Sequence, residues 1–495
     1  MTSYGGATSF EKSCARCGLY VNPLNGLITA ITAHVKFDSN AKKLYYLKGW
    51  KIMSSEKTSN SVDLVIRAGR LLTMRPGAAP INDMEVHIKD GKIAAIEPSE
   101  EGASHSSVET IDASGCLVMP GLINAHTHAA MTLFRGLADD MPLKQWLFEK
   151  IFPAEAEYLS PHNVYWSAML AFGEMISSGT TCFSDGYFFQ DKTFDAAIKV
   201  GIRGVIAQGV IDFPAPGVPD PEKNLDVGTK FIERWKGFSS LLTPSLFCHS
   251  PVTCSEKTLI GAMEICDSGG VPMQIHLSET LEEVNTIMGQ KGIRPAYYLD
   301  RIGILKESLI AVHCVHLEDE EIRLLKERGT RVVHCPESNM KLASGVCAAE
   351  KIINAGIPLG LGTDGCASNN DLDMLREMDS AAKLSKVSSG APTSLKAEVI
   401  LRCATIEGAR ALGLDQEIGS IEIGKRADII VVDLDKPHLQ PLYDPISSIV
   451  YSANGGDVRD VIVEGKVLMR ERKLLTVDME EVMWNIKKIA KQIQG

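Results

Sequence analysis

Between Cys116 and Asp364 the chain repeats one pattern eight times: a short, almost wholly apolar segment followed, in most repeats, by a longer amphipathic one. The apolar segments read as strands at 116–126, 180–185, 204–210, 245–250, 272–278, 309–315, 331–336 and 359–364, and 318–328 is a representative helical stretch. Strands apolar along their whole length are buried on both faces, and parallel strands need a crossover, usually a helix, to return the chain. Eight such units predict an α/β fold, a closed (β/α)₈ barrel of the TIM type. At 495 residues the chain is longer than a barrel requires, so a smaller second unit is expected.

The flanks supply it. Val62-Asp63-Leu64-Val65-Ile66 and Glu85-Val86-His87-Ile88, a turn at Asp90-Gly91 and the run 93–96 predict short antiparallel strands. The same texture returns in 427–433 and 458–467, with a turn at Glu464-Gly465. The expected organisation is a small β-sandwich domain formed by both chain ends (61–117 with 421–477), a barrel over 118–420, and a C-terminal helix over 478–495. Residues 1–60 differ from the rest: they hold Cys14 and Cys17, a basic pair at Lys42-Lys43, and no clear period. They read as an extension outside the fold, with Met53 as the natural start, and intact mass of the natively expressed protein would check this. One CxxC without a second pair is weak evidence for zinc.

A net charge of −11 argues against a nucleic-acid or anionic-membrane partner, both of which need a basic face. The 12 cysteines form no framework of paired spacings, which reads as reduced thiols in a cytoplasmic protein. No run reaches the roughly 18 apolar residues of a membrane helix, and no signal-peptide pattern opens the chain. A small-molecule partner is expected, and no residue pattern demands or forbids a homo-oligomer.

The chemistry sits where strands end. His126 and His128 close the first strand, His249 the fourth, His276 the fifth, His313 the sixth and Asp364 the eighth. Barrel active sites form at that rim. Alternate residues of an extended segment point the same way, so His126-Thr127-His128 can present two imidazoles to one ion. His276 and Asp364 complete a ligand set that suits Zn²⁺, with Fe²⁺ or Mn²⁺ also accommodated. An isolated histidine on an apolar strand is usually a satisfied core residue, but the strand-end position recurs too often here for coincidence. Glu279, three residues after His276, could carry a proton between water and a leaving group. Its structural alternative is an acid favoured by a helix N-terminus. His313 could hydrogen-bond the attacked centre or the nucleophile, whereas His316 and His334 read as supporting residues.

These residues resemble the amidohydrolase superfamily, and within it the methylthioadenosine/S-adenosylhomocysteine deaminase branch. The stretches that carry the resemblance are Pro120 to His128, His249 to Ser255, His276 to Thr280, Ala311 to His316 and Gly362 to Asn370. The resemblance implies one divalent metal per subunit held by His126, His128, His276 and Asp364, with Glu279 as proton shuttle and His313 and Asp364 assisting. It implies two substrate contacts besides: Glu155, in Phe152-Pro153-Ala154-Glu155, for a nucleoside ribose, and His249. Superfamily members with two metals bridge them by a modified lysine at the end of strand four, and Ser245 to Ser250 contains no lysine. In one respect the chain departs from the branch. Arginines that would hold an amino-acid carboxylate after strand three are missing, the first being Arg234.

The expected reaction is water attack on C6 of an adenine ring, giving the inosine analogue and ammonia from methylthioadenosine, S-adenosylhomocysteine, adenosine or 5′-deoxyadenosine. A triazine chlorohydrolase or aminohydrolase, or a guanine or pterin deaminase, would use the same metal set. A reading from another class, an inactive barrel serving as a binding protein, predicts lost ligands, and none is missing.

Overall fold

The structure, a computed structural model, describes residues 62–99 and 108–494. The expected extension, with Cys14 and Cys17, lies outside the described residues. In chain order the strands are β1 (Leu64–Leu71), β2 (Ile81–Lys89), β3 (Lys92–Pro98), β4 (Glu109–Pro120), β5 (Leu122–His128), β6 (Thr180–Tyr187), β7 (Arg203–Val210), β8 (Leu242–Cys248), β9 (Met273–Leu277), β10 (Leu309–His313), β11 (Arg331–His334), β12 (Leu359–Leu361), β13 (Asp364–Gly365), β14 (Ile429–Asp433), β15 (Val458–Val463), β16 (Lys466–Arg470) and β17 (Lys473–Leu474).

β5 to β13 form one all-parallel sheet in which consecutive strands from β5 to β12 pair with one another. β12 and β13 are two pieces of one strand interrupted at Gly362-Thr363, and β13 pairs with β5 through Asp364 opposite Thr127, which closes the barrel. Every residue of β5, β6 and β7 is buried, as expected for strands covered by helices on one face and filling a barrel on the other. Gly362 makes the closure possible. A Cβ there would lie 2.7 Å from the backbone N and O of His126, so only glycine lets strand eight pass this near the histidine pair.

The expected first strand, 116–126, proves to be the end of one strand and the start of another. β4 stops at Pro120 and β5 starts at Leu122, with Gly121 between them. Gly121 N–H donates to the Asp428 carbonyl at 3.0 Å, and a Cβ on Gly121 would sit 2.0 Å from Thr181 Oγ1. Both sides of this break are buried, so the apolar run hides the change of sheet.

The other strands form a second sheet ordered β17-β16-β15-β14-β4-β1-β2-β3, built from the two ends of the described chain. β4 and β14 join the halves antiparallel, with Ile429 opposite Pro120 and Asp433 opposite Cys116. The sheet curls until its turns meet: a Cβ on Gly91 would lie 2.8 Å from the Glu464 carbonyl oxygen. Leu64, Ile66, Val86, Ile88, Ile111, Val118, Ile429, Val431 and Ile462 fill the interior of this curl. A buried ion pair ties it to the barrel, with Arg203 Nε and Nη2 donating to Asp428 at 2.6 and 3.1 Å. The last helix, Met479–Gln494, lies against the helix Pro161–Ser177, with Met479 over Gly173. Among the described residues no helix is long and apolar enough to cross a membrane.

Candidate active site

The strand ends bring the predicted residues to one rim. His126, His128, His276 and Asp364 offer four ligand atoms within 4.8 Å of one another, all on buried residues. His126 Nε2 lies 3.2 Å from His276 Nε2, and Asp364 Oδ1 lies 3.2 Å from His128 Nε2 and 3.7 Å from His126 Nε2. Atoms bound to a tetrahedral zinc at 2.0–2.1 Å are about 3.3 Å apart, so these separations fit one shared ion. The protonation states of His126 and His276 fit as well. Burial holds His126 down to about 4 and His276 well below its ordinary value, leaving both imidazoles neutral. His128 Nδ1–H donates to the Gly186 carbonyl, which leaves Nε2 as the free donor atom. Burial favours the neutral acid at Asp364, but the His126 and His128 rings outweigh it and hold the carboxyl well below its usual range.

Asp364 is held from behind. Ser338 Oγ and Ser368 Oγ donate to its Oδ2 at 2.7 and 3.2 Å, and Gly365 N–H donates to its Oδ1 at 2.8 Å. Four residues at these strand ends adopt left-handed backbone: Ser278 (φ +52°), His313 (+69°), Cys314 (+50°) and Asp364 (+60°). Such conformations cost of order 1–3 kcal/mol each in a non-glycine residue and persist only where the surroundings over-determine them.

Glu279 and His313 adjoin the donor cluster. His313 Nε2 lies 3.8 Å from Glu279 Oε2 and 3.9 Å from Asp364 Oδ2, while its Nδ1–H donates to Asn339 Oδ1 at 2.9 Å. Burial raises the Glu279 pKa, which suits a group that must both take and give a proton. The backbone that carries it is gripped by Glu283, whose two carboxyl oxygens accept the N–H groups of Ser278 and Glu279, each at 2.8 Å.

His128, His276, Asp364, Glu279 and His313 face a cavity of about 720 Å³ with largely apolar walls, among them Met141, Leu143, Leu147, Phe148, Phe152 and Val252. Glu155 and His249 line it too without belonging to the donor cluster, and the His249 ring centroid lies 5.3 Å from that of His276. Glu155 sits on the helix Phe152–Tyr158 and is 2% exposed; Tyr187 Oη donates to its Oε1 at 2.5 Å. Burial lifts the Glu155 carboxyl to about 7, against the lowering effect of that hydrogen bond. His249 stands one residue beyond the end of β8, is held by Thr253 Oγ1 at 2.9 Å from its Nδ1, and is pushed down to about 4 by burial. His316 and His334 stay outside the cavity lining. His316 Nε2–H donates to the Ser344 carbonyl at 2.6 Å, and burial brings His334 down to about 3.

Several residues that shape the site are not singled out in a linear reading: Tyr187, Glu283, Ser338, Asn339 and Ser344. Each is a common polar residue whose partner comes from another strand or loop. Only Glu283 had a usable cue, being one helical turn beyond Glu279.

Comparison with known proteins follows the same lines. Residues 117–468 match the family model described as the amidohydrolase family. The chain is 47% identical over 437 residues to a 5-methylthioadenosine/S-adenosylhomocysteine deaminase of Syntrophobacter fumaroxidans, covering 88% of this chain and 99% of that protein. It is 43% identical over 432 residues to a 5′-deoxyadenosine deaminase of Methanosarcina acetivorans, covering 87% and 98%. Among solved structures, an adenosine deaminase from Xanthomonas campestris with bound zinc superposes with a TM-score of 0.84 at 38% identity, over 88% of this chain and 99% of that one. A triazine hydrolase variant reaches 0.81 at 21% identity, over 87% and 100%, a likeness of fold alone.

Proposed function

The chain belongs to the amidohydrolase family, and from that premise we propose that it is a metal-dependent hydrolytic deaminase of adenine nucleosides, releasing ammonia and leaving the 6-oxo product. The observation that carries the reading is the joining, in one cavity, of a four-donor cluster, an adjacent buried carboxyl-imidazole pair and a separate buried carboxylate, Glu155, on the wall.

His126, His128, His276 and Asp364 would hold one divalent ion, and Zn²⁺ is the ion we assign to them. When bound, the ion acts as a Lewis acid that makes water a nucleophile at neutral pH. Glu279 takes a proton from the attacking water and delivers it to a ring nitrogen of the adenine. It then passes the remaining proton of the hydroxyl added at C6 to the departing amine, so that ammonia leaves as the C6–N bond breaks and the 6-oxo group forms. His313, its Nδ1–H committed to Asn339, steers the incoming oxygen with Nε2, and Asp364, whose Oδ2 lies 3.9 Å from that nitrogen, assists. Glu155 accepts hydrogen bonds from the ribose hydroxyls, and His249 contacts the substrate beside it.

The cavity wall also bears on the 5′ substituent. Among the described residues the Lys and Arg side chains that line the cavity are Lys144 and Lys341. They are paired with Glu282 at 2.7 Å and with Asp139 at 2.5 Å. Each lysine is already neutralised by a carboxylate and neither pair is buried, so they offer a substrate carboxylate little added stabilisation, whereas a methylthio or methyl group meets apolar walls. Methylthioadenosine and 5′-deoxyadenosine are therefore the preferred substrates, ahead of S-adenosylhomocysteine.

The test is ammonia release by zinc-loaded protein from methylthioadenosine, 5′-deoxyadenosine, adenosine and S-adenosylhomocysteine, with guanine and a chlorotriazine as controls. Turnover led by the first two supports the reading. Silence on all four nucleosides, or a faster rate on guanine or the triazine, overturns it.

A further inference from the structure

A carboxyl shuttle has two oxygens, and at Glu279 they are not equivalent. Ser344 Oγ–H donates to Oε1 at 3.1 Å, while Oε2 faces His313 Nε2 at 3.8 Å. Ser344 is buried and belongs to the loop that follows the helix Pro336–Lys341, so it reaches Glu279 across the rim from another βα unit. The loop is held in a costly shape. Ala343 has φ +52° and Gly345 has φ +132°, and a Cβ on Gly345 would lie 2.9 Å from Val315 Cγ1 and 3.2 Å from the His316 ring. The chain thus presses onto His316, whose Nε2–H donates to the Ser344 carbonyl at 2.6 Å. His316 is braced in turn, since its own carbonyl accepts from Arg294, and Arg294 Nε donates to Glu321 at 2.7 Å.

We propose that Ser344 is a positioning residue for the deamination. It keeps Oε1 of Glu279 as the anchored oxygen and Oε2 as the one that takes and returns the proton, and His316 acts through its hold on Ser344. The inference rests on the deaminase reading above. A serine hydroxyl can donate to Oε1 whether Oε2 is bare or carries a proton, more strongly in the first case. The anchor therefore holds through both halves of the transfer, and the carboxyl need not turn between taking the proton and giving it up.

The test uses the zinc-loaded full chain with Ser344→Ala, Ser344→Thr, His316→Leu, His316→Asn and the Ala/Leu double variant. Losing a hydrogen bond to an ionised group predicts a fall in kcat of about 10- to 100-fold for Ser344→Ala. KM should stay within about twofold, and metal content and unfolding midpoint near wild type. Ser344→Thr, which keeps the hydroxyl, should recover most of the rate, and His316→Asn, which keeps an N–H donor, should outperform His316→Leu. The double variant should be no slower than its slower parent, because both changes cut one chain of contacts. A crystal structure of Ser344→Ala should have the Glu279 carboxyl turned or in two conformers. Wild-type kcat in Ser344→Ala, failure of Thr to rescue, or additive losses would overturn the proposal. Glu279→Gln run alongside separates the two levels. If it keeps its rate, the deaminase mechanism falls; if it is inactive while Ser344→Ala is normal, only the positioning role falls. Should Ser344→Ala not fold, the comparison of His316→Asn with His316→Leu decides alone.

Discussion

Replacing Glu155 by Gln should weaken catalysis and strengthen the fold. The side chain is 2% exposed and its carboxyl is lifted by burial from its ordinary 4.5 to about 7. A carboxyl raised in this way binds its proton more tightly folded than unfolded. The stability it contributes is fully present below about 4.5 and is lost as pH rises through about 7. At 1.36 kcal/mol per pH unit, that displacement corresponds to roughly 3 kcal/mol of folding free energy forgone above pH 7. Gln keeps the oxygen that accepts from Tyr187 and carries no charge to desolvate, so Glu155→Gln should regain most of this at pH 8 and little at pH 5. Catalysis moves the other way. Trading a charged acceptor for a neutral one at the ribose should cost about 1.5–3 kcal/mol, a fall in kcat/KM of roughly 10- to 100-fold. Denaturant unfolding at pH 5 and pH 8 reads the first effect. Steady-state rates on 5′-deoxyadenosine and on free adenine, which has no ribose, read the second. A variant no more stable at pH 8 would refute the burial argument, and an equal loss on free adenine would refute the ribose contact.

Three further outcomes are expected. Glu279→Gln should lower kcat by about 10²–10⁴-fold with zinc content unchanged by atomic absorption, whereas a near-normal rate would remove Glu279 as the shuttle. Asp364→Asn should lower both zinc content and rate, and chelation of the wild-type protein should abolish turnover until Zn²⁺ is restored; full metal occupancy in the variant would break the four-donor assignment. Gly121→Ala drives a methyl group to within 2.0 Å of Thr181 Oγ1 and should destabilise by about 1–3 kcal/mol, measured by denaturant midpoint, with Gly121→Ala/Thr181→Ala recovering part of the loss.

The barrel was readable in the linear sequence because its strands are buried on both faces, and burial on both faces leaves one continuous apolar signature. The histidines stood out for a related reason. A titratable residue ending an apolar strand is costly unless it is used, and His126, His128, His276, His313 and Asp364 all occupy such ends. Where both neighbours are buried, the same signature misleads. The passage from β4 to β5 through Gly121 leaves no polar break, so the run 116–126 looked like a single strand. That glycine's role is visible only against Thr181, which lies 60 positions away.

The sequence by itself determined the alternation of strands and helices, the convergence of the ligand-type residues on one rim, and the chemistry those residues support, because each follows from local periodicity and residue type. The tertiary structure alone decided which oxygen of Glu279 is anchored, that Tyr187 holds Glu155, that Asn339 sets the His313 ring, and that the lysines at the cavity are already paired. Those are contacts between residues far apart in the chain. Their existence depends on barrel closure, strained backbone at the strand ends and the burial that shifts each proton affinity, none of which any short stretch of sequence encodes.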